Sequence, residues 1–127
     1  MTARPSVRPA DGERRFRPHQ QIRQRAEFQA VYDKGRKHQG RHMLIFSLAR
    51  EGQPARLGIA ATRKMGIAVE RNRAKRRVRE LFRQHPAPAG FDIVVVPRRS
   101  LIGASFSSLE AEYVATLARV RSGRPPS

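Results

Sequence analysis

The 127-residue sequence contains no cysteine and no tryptophan. The missing thiols exclude a disulfide framework, a thiolate nucleophile and a thiolate metal site. Aromatic side chains are few, six Phe and two Tyr. Each must be judged by position, as core or as a platform on which nucleic-acid bases stack. Long hydrophobic runs are missing too. Residues 93–96 (IVVV) form a strongly apolar run, far short of the roughly 20 residues a membrane span needs. Nothing at the start reads as a signal peptide, so the expectation is a cytoplasmic protein with no membrane partner. Enzymatic constellations are lacking: no paired carboxylates, no Ser/His/Asp arrangement, no P-loop and no HExxH. The four histidines show no ligand spacing. No catalytic residue and no metal-ligand set is therefore assigned to the protein.

Negative charge is scarce as well. Asp plus Glu number 10 against 27 Lys plus Arg, for a net charge of +17. A chain this cationic repels itself unless a polyanion screens it. Nucleic acid is the first candidate partner. An anionic membrane is the second, weakened by the absence of apolar runs.

The positive charge is concentrated. Seven of the thirteen residues in 71–83 are cationic, and Glu80 alone opposes them. Apolar residues interrupt the block at helical spacing. At about 100° per residue, Ala74, Val78, Leu81 and Phe82 share one stripe. Arg73, Lys75, Arg76, Arg77 and Arg79 spread over the remaining circumference. The spacing predicts a helix docked by one face that presents guanidinium forks, which match phosphate geometry. A merely solvated face is the plainer alternative. Like charges at i,i+4, such as Arg71, Lys75 and Arg79, disfavour an isolated helix and argue against it.

Residues 1–20 hold five arginines and three prolines with little to bury, and read as a disordered basic arm. Residues 122–127 (SGRPPS) read as a flexible tail, leaving 21–121 as one domain. Within it, Ile22, Ala26, Phe28, Val31 and Tyr32 suggest a short helix ending before Gly35. Residues 41–50 alternate as a strand, with Leu44, Phe46 and Leu48 on one side and Met43, Ile45 and Ser47 on the other. Residues 56–62 predict a second strand, antiparallel to the first across the short turn 51–54. Residues 36–40 could add a brief edge strand. The basic helix runs from about Val69 and ends before Pro86. Residues 92–96 (DIVVV) predict a central strand, set parallel to another by the strand–helix–strand passage. Ser107 and Glu110 fit a capping box for a last helix, with Leu109, Tyr113, Leu117 and Val120 inward. On spacing alone, Phe28, Tyr32 and Phe46 read as core; the functional alternative is a stacking surface in a groove.

The pattern Lys64-x-Gly66-x-Ala68-Val69-x-Arg71-Asn72-Arg73-x-Lys75-Arg76-x-x-Arg79-Glu80 closely resembles the RNR signature of the bacterial ribonuclease P protein subunit. Residues 25–35 resemble that family's first helix, with aromatics one turn apart and a closing Gly. Residues 92–97 resemble the strand after the RNR helix. The likeness extends over roughly residues 21–120. It implies an α+β, single-domain α-β-β-β-α-β-α sandwich of ribosomal-protein-S5-like type, with a left-handed βαβ crossover. It implies that catalysis belongs to a partner RNA, which uses Mg²⁺ to remove the 5′ leader of precursor tRNA. By position it makes Lys64, Arg71, Asn72, Arg73, Lys75, Arg76 and Arg79 the RNA-binding set. Phe28, Tyr32 and Phe46 match the leader-binding cleft. Tyr32 stands where Phe is frequent, a change that preserves stacking. The partners implied are the catalytic RNA and precursor tRNA, with the protein itself monomeric. Rival readings are another RNA-binding module of the same fold, a self-sufficient nuclease, and a basic DNA-binding architectural protein.

Overall fold

The computed structural model describes residues 20–122. The basic arm up to residue 19 and the tail from residue 123 lie outside the described residues. The elements are α1 (Arg25–Lys34), β1 (Arg36–Gln39), β2 (Met43–Ala49), β3 (Arg56–Ile59), a 3₁₀ turn (Arg63–Met65), α2 (Ala68–Gln84), β4 (Phe91–Pro97), α3 (Ser100–Gly103) and α4 (Phe106–Ser122). The brief edge strand, β1, is present. Ile22 precedes α1 rather than belonging to it. Its N–H donates to the Leu57 carbonyl at 2.9 Å, and Gln21 bridges Leu57 along the β3 edge.

The sheet order is β1-β2-β4-β3. β2 pairs antiparallel with β1 and β4, and β3 pairs parallel with β4. β3 therefore runs antiparallel to β2, as expected, but does not pair with it: β4 lies between them. The turn itself shows why. The Arg50 N–H donates to Gly90 and the Gly90 N–H to Gln53. These bonds tie the turn to the start of β4 instead of closing β2 on β3. β4 is buried on both faces from Asp92 to Val95, so its β-branched run needs a strand on each side. The parallel pair encloses α2 as its crossover.

The two faces of the sheet are covered unequally. One packs Met43, Ile45, Leu57, Ile93 and Val95 against the apolar stripes of α2 and α4. Ala74, Val78, Leu81 and Phe82 are buried on α2, and Leu109, Tyr113, Leu117 and Val120 on α4, as their spacing predicts. Among the described residues, the other face is covered by α1 and the segment just before it. There Ile22, Val31 and Val94 are buried, while Phe28, Tyr32, Phe46, Leu48, Ala60 and Val96 are partly buried. One side of the sheet is thus a closed core and the other a half-covered apolar floor.

Caps differ in place from expectation at one helix. α4 begins at Phe106, two residues before the capping box that Ser107 was expected to start would allow. The Ser105 hydroxyl accepts the Ser108 N–H at 3.1 Å. A Ser at Ncap does this with no carboxylate three residues on, and the earlier start lets Phe106 pack against the core. At the head of α2, Gly66 takes φ +128°, where a Cβ would lie within 2.0 Å of the Glu70 carboxylate. That carboxylate accepts the Ile67 N–H at 3.2 Å.

A charged staple fixes α1 to the sheet. Asp92, 2% exposed, accepts from Arg56 Nε at 3.0 Å and Nη2 at 2.8 Å, and from Arg50 Nη1 at 3.2 Å. Arg56 Nη1 also donates to Glu27 of α1 at 2.9 Å. The Arg56 guanidinium holds the Glu27 carboxyl below its ordinary pKa. Glu27 precedes Phe28, so the staple sets where that ring meets the sheet.

Candidate nucleic-acid interface

The basic face of α2 is built by what the helix buries. With Ala74, Val78, Leu81 and Phe82 turned to the core, Asn72, Arg73, Arg76 and Arg79 are exposed, and Arg71 and Lys75 are half-buried at the margins. Among the described residues, Asn72, Arg73, Lys75, Arg76 and Arg79 make no side-chain hydrogen bond or ion pair with the fold. Arg71 donates to the Gly66 carbonyl at 2.8 Å, leaving the rest of its fork for other partners. Lys64 stands in the 3₁₀ turn Arg63–Met65 ahead of the helix.

Two cations in the block face other tasks. Arg77 Nη1 donates to the Leu101 and Ile102 carbonyls at 3.2 and 2.8 Å. It satisfies the end of α3, an element with no period of its own in the sequence. Arg83 pairs with Glu80, and that partner holds the Glu80 carboxyl below its ordinary pKa. The free positive surface is thus narrower than the charge count suggests.

The aromatic trio comes together on the half-covered face. Phe28 and Tyr32 have ring centroids 6.5 Å apart at 44°. Tyr32 and Phe46 stand 5.0 Å apart, edge to face at 72°. All three are half-buried and pack against the cluster of Ile22, Val31 and Val94, so they keep some accessible surface. Phe28 packs over Gly58, where a Cβ would come within 2.8 Å of the ring. Gly58→Ala is expected to push Phe28 and α1 off the sheet, costing about 1–3 kcal/mol as overpacking does. A melting temperature equal to that of the unaltered chain would contradict this contact.

Strand register adds two residues that sequence reasoning missed. Lys37 lies directly opposite Phe46, and Gln39 opposite Leu44. Cross-strand partners share a face, so both stand on the α1 side, and both are exposed. The tetrapeptide RKHQ has no apolar alternation, so nothing in it announced which side Lys37 takes.

The helix and the cleft are connected. A groove of about 110 Å³ is lined by Gln21, Ile22, Leu57, Ile59, Lys75 and Arg79. Ile22 also packs in the cluster that holds Phe28. A single strand could therefore run from the cations of α2 to the aromatic floor beside α1. Stacking with flanking cations is the chemistry that holds single-stranded nucleic acid. Among the described residues no three of His, Asp and Glu gather as a metal-ligand set. No described helix is long and apolar enough to cross a membrane.

The chain is similar to known proteins in sequence and in fold. The sequence profile of the Ribonuclease P family matches residues 16–121. The ribonuclease P protein component of Desulfovibrio desulfuricans is 40% identical over 112 residues, covering 84% of this chain and 86% of the relative. That of Oleidesulfovibrio alaskensis is 45% identical over 84 residues, covering 63% and 67%. Among solved structures, the RNase P protein from Thermotoga maritima superposes with a TM-score of 0.71 at 33% identity, covering 78% of this chain and 96% of that one. The RNase P protein of Staphylococcus aureus gives a TM-score of 0.68 at 28% identity, covering 80% and 94%. With the profile spanning most of the chain, a relative 40% identical over most of both chains and the folds superposing, the chain belongs to the bacterial ribonuclease P protein family.

Proposed function

We propose that this chain binds the catalytic RNA of ribonuclease P through α2 and holds the single-stranded 5′ leader of precursor tRNA in the cleft beside α1. The observation that carries the reading is the join between the two surfaces. Cations without partners in the fold stand at one end, and three half-buried aromatic rings at the other. In this proposal Arg73, Lys75, Arg76 and Arg79 neutralise RNA phosphates, with Lys64, Arg71 and Asn72 beside them. Phe28, Tyr32 and Phe46 receive leader bases, and Lys37 stands close to the strand's backbone.

The role of the protein is electrostatic and positional. It lowers the repulsion between two polyanions and fixes the leader relative to the RNA. The proposal gives hydrolysis and Mg²⁺ to the RNA partner, as the resemblance to the family implies. It also makes the protein a cytoplasmic monomer before assembly.

Phe28→Ala tests the cleft. One lost stacking contact is worth about 1–3 kcal/mol, roughly a tenfold loss of precursor tRNA affinity in the assembled enzyme. Mature tRNA, which has no leader, should bind as before. If Phe28 served packing alone, truncation would cost about 3–5 kcal/mol of stability and leave the ratio of precursor to mature affinity unchanged. Melting temperature and both affinities, taken on the same variant, separate the two.

A further inference from the structure

A second concavity lies where the end of α1, strand β1 and the last turns of α4 meet. It measures about 250 Å³, and its lining includes Lys34, Arg36, His38, Ser47 and Arg119. The proposed function does not use it. Register sets Arg36, opposite Ser47, and His38, opposite Ile45, on the face of β1 away from Lys37, and the pocket meets the cleft cluster only at Leu48.

Three features point to an anionic occupant. The lining holds three cations and no carboxylate. Its lining includes two buried polar residues, His38 at 1% and Ser47 at 4% exposure, beside the apolar Leu48, Ala49, Phe91 and Val120. And His38 is only half satisfied. Its Nε2 lies 3.1 Å from the Ser47 hydroxyl, while Nδ1 is buried with no partner. If the Ser47 hydroxyl donates to Nε2, then Nδ1 carries the proton and is a donor with nothing to receive it. Buried donors without acceptors are rare in folded proteins. Burial first, then Arg119 and Arg36, hold the imidazole below its ordinary pKa, so it is neutral and the rim supplies the charge.

We infer that this pocket binds a phosphoryl group, with Lys34, Arg36 and Arg119 as its cationic rim beside the buried His38–Ser47 pair. Arg119 also donates to the Thr116 hydroxyl at 3.3 Å, and a guanidinium keeps further donors for an oxyanion. The phosphoryl group could be free in solution or part of a nucleic-acid strand passing over the β1 edge. The chemistry of recognition is the same.

The experiment follows the His38 imidazole signals of the full chain by NMR, assigned against His38→Gln. Sulfate, inorganic phosphate and a single-stranded oligonucleotide are titrated separately. Sulfate is expected to shift the His38 signals to saturation. Arg119→Gln should raise the midpoint about tenfold, the loss of one charge-assisted contact; Lys34→Gln serves if that variant folds poorly. Arg73→Ala/Arg76→Ala should leave the sulfate midpoint in place, which separates this pocket from α2. Saturation by the oligonucleotide at lower concentration assigns the phosphoryl group to a strand. Saturation by the two small anions alone assigns it to a free one. Signals that none of the three probes moves, or a midpoint indifferent to both rim variants, overturn the inference and leave the reading of the cleft untouched.

Discussion

Replacing Asp92 with alanine is expected to remove about 3–5 kcal/mol of folding stability, the loss seen when one partner of a buried ion pair is deleted. Asp92 is almost fully buried and accepts three hydrogen bonds from two arginines. Without it, the Arg56 guanidinium, 18% exposed, keeps only Glu27. A double change, Arg56→Met with Asp92→Leu, is expected to cost less than Asp92→Ala alone. It removes both charges and leaves neither stranded. Glu27→Gln should cost at most about 1 kcal/mol, since that carboxylate is a third exposed. Its effect has a sign in pH. Arg56 depresses the Glu27 pKa, so the pair's contribution is present above the ordinary carboxylate value and is lost as pH falls through the depressed one. Unfolding by denaturant checks all three variants. An Asp92→Ala chain within about 1 kcal/mol of the original would contradict the staple.

The double variant Arg73→Ala/Arg76→Ala is expected to lower affinity for the RNA partner at least about a hundredfold at low salt. Each charge-assisted contact is worth about 1.5–3 kcal/mol. Log affinity should fall linearly with log salt, with a slope of roughly −0.7 to −0.9 per phosphate neutralised. The variant should flatten that slope by about one unit per lost contact. Its fold should survive, because both side chains are exposed and make no bond within it. Arg77→Ala supplies the contrast. Arg77 holds the α3 carbonyls, so its loss should lower the melting temperature and leave the salt slope nearly unchanged. An unaltered slope in a folded Arg73→Ala/Arg76→Ala protein would remove the basic face from the interface.

These two variants also mark what could be read in the chain before its structure. Periodicity placed Ala74, Val78, Leu81 and Phe82 inward because a helix repeats over a few residues. It divided Met43, Ile45 and Ser47 from Leu44, Phe46 and Leu48 for the same reason. Long-range pairing leaves no such local mark. The short turn after β2 predicts the antiparallel direction of β3 but not that β4 comes between them, a place that suits the burial of β4. The role of Arg77 depends on α3, and Lys37 gains its side of the sheet only from register against Phe46. Arg56 and Asp92 are 36 residues apart, so the staple that seats α1 could not be read from either neighbourhood. The site residues were legible through their resemblance to a family pattern and through charge. Which of the cations are spent inside the fold was not.

The central claim is that the protein binds and positions while its RNA partner cleaves. The direct measurement is cleavage of precursor tRNA at near-physiological Mg²⁺ by the protein alone, by the cognate RNA alone, and by the two together. The account predicts no cleavage by the protein, little by the RNA until salt is raised, and full release of the leader by the pair. Metal-dependent cleavage by protein rigorously freed of RNA would contradict it.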